Sequence, residues 1–283
     1  MADPLIVENS LEALRKLGDV RRNTRWADGD PDYVAEYHLT PEHIPALIAL
    51  ATTWVDGSPE DTSVYAQVHA WRALGQLRAV EAVQPLLDVQ DELDRLGDDW
   101  YLEEFHHVFG LIGPPAIPRL AAYLADRSHG QFPRGKAAAG LREIARRYPE
   151  TREEIVDLLA CELARHQKDA PDLNGSLVHE LLELHATIAA GVIERAFAAN
   201  VVDPTVAGDW GDVRQELGVV GLGLAPDRSP GWPTLLERIG FYGRIDEPPP
   251  SPSDRHLRST AKREARAKRK AERKNRKRNR KPR

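Results

Sequence analysis

The sequence predicts an all-α protein: an α-solenoid of about five helical pairs with irregular caps and a disordered basic C-terminal tail. Three observations predict it. One apolar skeleton recurs at Ile44/Leu47, Val83/Leu86, Ile117/Leu120, Ile155/Leu158 and Ile193/Ala196, at steps of 39, 34, 38 and 38 residues. The segments between these occurrences carry their own 3.6-residue periodicity, and no run shows the strict alternation of a half-buried strand. From Arg255 onward the chain holds 16 Lys and Arg against two acidic residues, whereas residues 1–254 hold 23 basic and 42 acidic residues, so a segment of +14 follows a body of −19.

Taken in order, residues 1–32 comprise a short amphipathic helix over 5–18, with Leu11, Leu14 and Leu17 on one face, and then a loop, "WADGDPD" (Trp26–Asp32). Residues 33–200 form the repeat array. "HIPALIALA" (His43–Ala51) and "AIPRLAAYLA" (Ala116–Ala125) each place proline in a first helical turn, where its missing N–H costs nothing. The partner helices follow Val64, Val68, Trp71, Leu74, Leu77; then Tyr101, Leu102, Phe105, Val108, Phe109, Ile112; then Leu141, Ile144, Tyr148; then Leu177, Leu181, Leu184. Gly113-Pro114-Pro115 and Tyr148-Pro149-Glu150 punctuate them. Each unit is too small to bury its own apolar face, so the core must be shared between neighbours. Residues 201–247, with Trp210, Trp232 and Phe241, read as an irregular cap over the last helix face. Residues 248–254, within "EPPPSPSD", are a proline-rich linker, and 255–283 are the basic tail.

"YAQVHAWRALGQLRAVEAVQPLL" (Tyr65–Leu87) and "FHHVFGLIGPPAIPRLAAYL" (Phe105–Leu124) resemble the degenerate HEAT-like repeats named after phycobilisome lyases. Extended through "GDWGDVRQELG" (Gly208–Gly218), the pattern is similar to an uncharacterised bacterial family of HEAT-like proteins. The resemblance covers residues 33–218 and implies an armadillo-type solenoid. It implies no activity, because the repeat name describes architecture. Some members of that family end in a small cysteine-rich metal motif; this chain has one cysteine and a cationic tail in that place, so nothing tied to the motif transfers.

With 283 residues, 41% of them hydrophobic, the chain can bury a sizeable core. A single cysteine, Cys161, excludes a disulfide framework and a multi-cysteine zinc site. "MADPLIVENS" lacks the basic and apolar regions of a signal peptide, and no window reaches about 18 apolar residues. The expectation is a cytoplasmic protein without membrane insertion.

Catalytic constellations are incomplete. Glu104-x-x-His107 in "EEFHH" is one carboxylate–imidazole pair where di-iron bundles need two pairs and two further carboxylates. "HELLELH" (His179–His185) reads H-E-x-x-E and lacks the second histidine of a zinc protease. HEAT-like iron hydroxylases use several His-Glu dipeptides, and here only His179-Glu180 occurs. A HEAT-like base-excision glycosylase needs a cationic groove, which a body of −19 opposes. "GVVGLGLAP" (Gly218–Pro226) is not spaced as a dinucleotide-binding loop, and Cys161 beside Leu158/Leu159 reads as a core thiol. No catalytic residue, metal or cofactor is assigned. In "HAWRALG", Trp71, with His69 and Arg72, reads either as core packing or as an aromatic anchor, since Trp and Arg are enriched at interaction hot spots. Trp71 and Arg72 are therefore the candidate protein-binding residues.

The tail's cations are Arg255, Arg258, Lys262, Arg263, Arg266, Lys268, Arg269, Lys270, Arg273, Lys274, Arg276, Lys277, Arg278, Arg280, Lys281 and Arg283. Alanine, arginine, lysine and glutamate favour helix, and Glu264/Lys268 and Glu272/Arg276 are helix-supporting pairs, but self-repulsion keeps the free segment unfolded. Such a segment neutralises phosphates without reading sequence, and it lacks aromatics for base stacking. It also suits folding back on the acidic body, acting as a solubilising end, or adsorbing to anionic lipid. The expected function is a non-catalytic scaffold: an acidic solenoid binding an unidentified protein, and a tail tethering to RNA or DNA. The alternative is an enzyme with a metal or small-molecule site in the solenoid groove, with Glu104/His107 or His179/Glu180 as ligands.

Overall fold

Five times the chain passes through three residues of 3-10 helix directly into an α-helix, and these junctions give the architecture its rhythm. A computed structural model describes residues 4–22, 24–53, 62–165, 168 and 170–219. The remainder of the expected cap with Trp232 and Phe241, the linker 248–254 and the tail 255–283 lie outside the described residues. All described residues belong to one compact unit, Met1–Trp232.

Every regular element among the described residues is helical, apart from an isolated bridge between Arg25 and Asp30. The α-helices are α1 (Pro4–Arg15), α2 (Tyr33–Glu36), α3 (Ile44–Ala51), α4 (Ala66–Gln76), α5 (Val83–Leu96), α6 (Trp100–Ile112) and α7 (Ile117–Ala125). They continue with α8 (Gln131–Arg147), α9 (Arg152–Ala164), α10 (Pro171–Glu183), α11 (Ala190–Ala198), α12 (Pro204–Ala207) and α13 (Trp210–Glu216). The turns Pro41–His43, Val80–Ala82, Pro114–Ala116, Pro149–Thr151 and Thr187–Ala189 lead into α3, α5, α7, α9 and α11.

All ten skeleton residues are buried. Their register differs from a strict repeat, however. Ile44, Val83 and Ile117 open their helices, whereas Ile155 and Ile193 sit one turn inside helices that begin at Arg152 and Ala190. Helix starts thus step by 39, 34, 35 and 38 residues.

How the partner helices stop explains the junctions. Helices α2, α4 and α10 close with paired reverse bonds, such as Arg78 N–H to Gly75 O and Ala79 N–H to Leu74 O, the pattern that needs one left-handed residue after the helix. His38 (φ 52), Arg78 (φ 51) and His185 (φ 49) take that position without being glycine. Helix α6 ends differently, on a single bond from Gly113 N–H to Phe109 O; Gly113 has a positive φ (+85), and any Cβ there would lie 2.8 Å from the Tyr148 ring.

Helix α4 packs on α3 and α6, α8 on α6 and α10, and α10 on α12, while α5, α7, α9 and α11 flank this series and touch one another in turn. Down its middle runs an aromatic line: Trp71 meets Phe105 edge-to-face at 4.8 Å, and Phe105 meets Tyr101 at 5.9 Å and Phe109 at 5.8 Å. Trp71 Nε1 donates to Ala51 O at 2.8 Å, so the indole's polar edge is satisfied within the core.

The expected N-terminal helix ends at Arg15, with Leu11 and Leu14 buried and Leu17 half-buried. The "WADGDPD" loop contains a 3-10 turn, Trp26–Asp28, whose tryptophan is buried. The described part of the cap is more regular than expected: the segment before α12 is held to α10 by Asn174 Nδ2 donating to Val201 O (2.8 Å) and Asp203 N–H donating to Pro171 O (3.1 Å), α12 packs on α10 and α13 on α11. Among the described residues no single helix is long and apolar enough to cross a membrane. The pair Trp100–Ile112 and Pro114–Ala125 passes that test only when joined, and it is bent by 112°.

Candidate functional site

Charged side chains lie between the helices of the central series, where an unpaired charge would cost several kcal/mol. Across α4 and α6, Arg72 donates from Nε to Glu104 Oε2 (3.0 Å) and from Nη2 to Oε1 (2.5 Å). Its Nη1 reaches Val20 O at 3.2 Å, and the guanidinium lies over the Trp26 ring at 5.3 Å. Trp71 is 0% and Arg72 3% exposed. The structure therefore places both candidate protein-binding residues in the core, and neither offers a surface anchor. His69, on the same helix, is also sealed: Nδ1 accepts from Tyr33 Oη (2.7 Å) and Nε2 donates to Gly18 O (3.0 Å), with burial holding its pKa down to about 4.

Helices α6, α8 and α10 carry a larger cluster. Glu143 accepts from Arg147 Nε (3.1 Å), Arg146 Nη1 (3.1 Å) and Arg142 Nη1 (3.2 Å), and His107 Nδ1 stands 3.7 Å away. Burial alone would raise its pKa; contact with His107, Arg146 and Arg147 outweighs burial and leaves it at about 2. Arg142 Nε donates to Glu180 Oε2 at 2.7 Å, and burial pushes the Glu180 carboxyl up. His106 is held down to about 3, first by burial and then by His107, Lys136 and Arg142 nearby. Between α8 and its neighbours, Arg134 donates to Leu124 O (2.6 Å) and to Glu162 (2.6 Å).

These pairings separate the sequence's candidate ligands. Glu104 is committed to Arg72 on α4, whereas His107 faces Glu143 on α8. His179 is exposed and Glu180 buried, so the dipeptide divides between two sides of α10. Among the described residues no three His, Cys, Asp or Glu side chains are grouped to hold a metal ion. Cys161 is half-buried rather than fully enclosed, and burial raises its thiol pKa, which disfavours the thiolate.

Arg134, Lys136, Glu143 and Glu162 were not singled out by sequence reasoning. One signal was present: Arg142 and Glu180 lie 38 residues apart, which is one repeat step, so opposite charges occupy corresponding places on successive helices. A second cluster links α5 to the loop before α8: His129 Nδ1 bonds Asp91 Oδ2 at 2.5 Å and its ring stacks on Tyr123 at 3.8 Å.

No family model matches this chain, and neither the curated proteins nor the solved structures provide a match.

Proposed function

We propose that this protein is a non-catalytic adaptor of the bacterial cytoplasm, built as a HEAT-like α-solenoid that holds a protein partner while its basic tail tethers it to RNA or DNA. The charge split carries this reading: a body of −19 joined through a proline-rich linker to a segment of +14. Sixteen cations without interleaved aromatics suit phosphate neutralisation, and the acidic body keeps nucleic acid off the array itself. The serial packing α4–α6–α8–α10, with α5, α7, α9 and α11 alongside, supports the solenoid. The commitment of Glu104 to Arg72, and the division of His179 from Glu180, weigh against those residues as metal ligands.

The test fuses residues 255–283 to an inert carrier. The carrier should acquire salt-sensitive affinity for RNA and duplex DNA with little sequence preference. A carrier that gains none contradicts the tether.

A further inference from the structure

We propose that His129 is a pH-operated clip between the α7–α8 turn and α5: its neutral imidazole holds one carboxylate, that of Asp91, and its charged form grips a second, that of Asp126.

The ring is positioned before any proton moves. His129 lies flat on Tyr123, with centroids 3.8 Å and planes 18° apart, and its Nδ1 stands 2.5 Å from Asp91 Oδ2. The Asp91 carboxylate also accepts from Tyr123 Oη (3.2 Å) and from the N–H of Gly130 (3.0 Å), the residue that caps α8. Burial first, and then the Asp91 charge, raises the pKa of the Tyr123 phenol, which therefore remains a donor at physiological pH. An ionised carboxylate only accepts, so a neutral His129 must carry its proton on Nδ1.

Nε2 is then a bare lone pair. It faces Asp126 Oδ2 across 3.7 Å, too far for a hydrogen bond. Asp126 is itself held in place, its Oδ1 accepting from the Ser128 N–H at 2.8 Å. Protonating Nε2 replaces two facing lone pairs with a charge-assisted donor and acceptor, and closing the gap to about 2.8 Å takes a shift of only about 1 Å within the turn.

Imidazole is the side chain that ordinarily changes charge between about pH 5 and about pH 8, and His129 is partly exposed, so solvent protons reach it. The groups around the turn are Asp91 and Asp94 from α5, Tyr123 from α7, Asp126 and Arg127 from the turn itself, and Arg134 from α8. Arg134 is already committed to Glu162 and Leu124 O, which leaves the carboxylates in excess. On its other side the start of α8 is tied to α10, where Gln131 Nε2 donates to Asp172 Oδ2 at 2.6 Å. The clip thus sets how firmly this junction, which carries the exposed Phe132, is fastened to α5. Its sign is opposite to that of His69 and His106, whose burial favours the neutral ring, so acid tightens this turn while it loosens the fold as a whole. The adaptor reading plays no part in this inference.

The test follows amide hydrogen exchange and imidazole nitrogen signals in full-length protein labelled with nitrogen-15, between about pH 8 and about pH 6. Protection of the Gly130 amide, relative to its intrinsic exchange rate, should rise at least threefold as pH falls, while core amides of α4 show no such rise. At the higher pH the neutral His129 ring should carry its proton on Nδ1. Asp126→Asn keeps an acceptor for the Ser128 N–H but removes the charge; it should flatten the pH response at Gly130 and leave the Nδ1 tautomer in place. Protection that is flat or falls with pH in the unaltered protein, a neutral ring protonated on Nε2, or an undiminished response in Asp126→Asn would each overturn the proposal.

Discussion

Arg72 and Glu104 meet across α4 and α6 through two hydrogen bonds while both are almost completely buried, each partner supplying the charge the other needs. Replacing Glu104 with Gln leaves a guanidinium in the core without a counter-charge. The expected cost is about 3–5 kcal/mol in urea unfolding. The double variant Arg72→Met/Glu104→Leu should recover much of that loss, because an apolar pair removes the desolvation cost with the attraction. A double variant as unstable as Glu104→Gln alone would show that shape rather than charge is decisive there.

Acid should destabilise the protein through its buried histidines. Folding lowers the proton affinity of His69 from 6.5 to about 4 and of His106 to about 3, through burial above all. The unfolded chain therefore binds protons below 6.5 that the folded chain refuses, and the stability these groups contribute is complete above that value and lost as pH falls towards 4. The urea midpoint should drop between about pH 7 and about pH 5. His69→Gln should flatten that drop while lowering the midpoint at the higher pH.

At Gly110, α6 lies directly against the Glu143 side chain of α8. A Cβ there would lie 2.3 Å from Glu143 Cγ, and Glu143 is gripped by three arginines that limit its retreat. Gly110→Ala should cost about 1–3 kcal/mol despite alanine's better helix propensity. Glu143→Ala in the same background should relieve the clash, seen as non-additive changes in the unfolding midpoint.

Helix periodicity gave away which apolar residues face inward, so the five skeleton pairs and Trp71, Phe105 and Phe109 were legible as core candidates. Spacing alone did not fix helix starts: Ile155 and Ile193 are buried one turn later than Ile44, because any helix face offers an inward position every three or four residues. Glu104 and Glu180 drew notice only as candidate ligands and Glu143 not at all, since a charge pairs with a partner on another helix that the local pattern does not reveal. Trp26 was hidden in a polar loop, and His38, Arg78 and His185 end helices in a conformation usually given to glycine. The buried Trp71 and Arg72 show the same ambiguity from the other side: composition typical of a hot spot is also composition typical of a satisfied core.

The division between acidic array and cationic tail is tested most directly by RNA affinity of the full-length chain and of residues 1–254 across a salt series. The account predicts binding by the full-length chain alone, with a log–log salt slope near −7 if about ten of the tail's cations engage phosphates. Equal affinity in the truncated protein, or binding indifferent to salt, would contradict it.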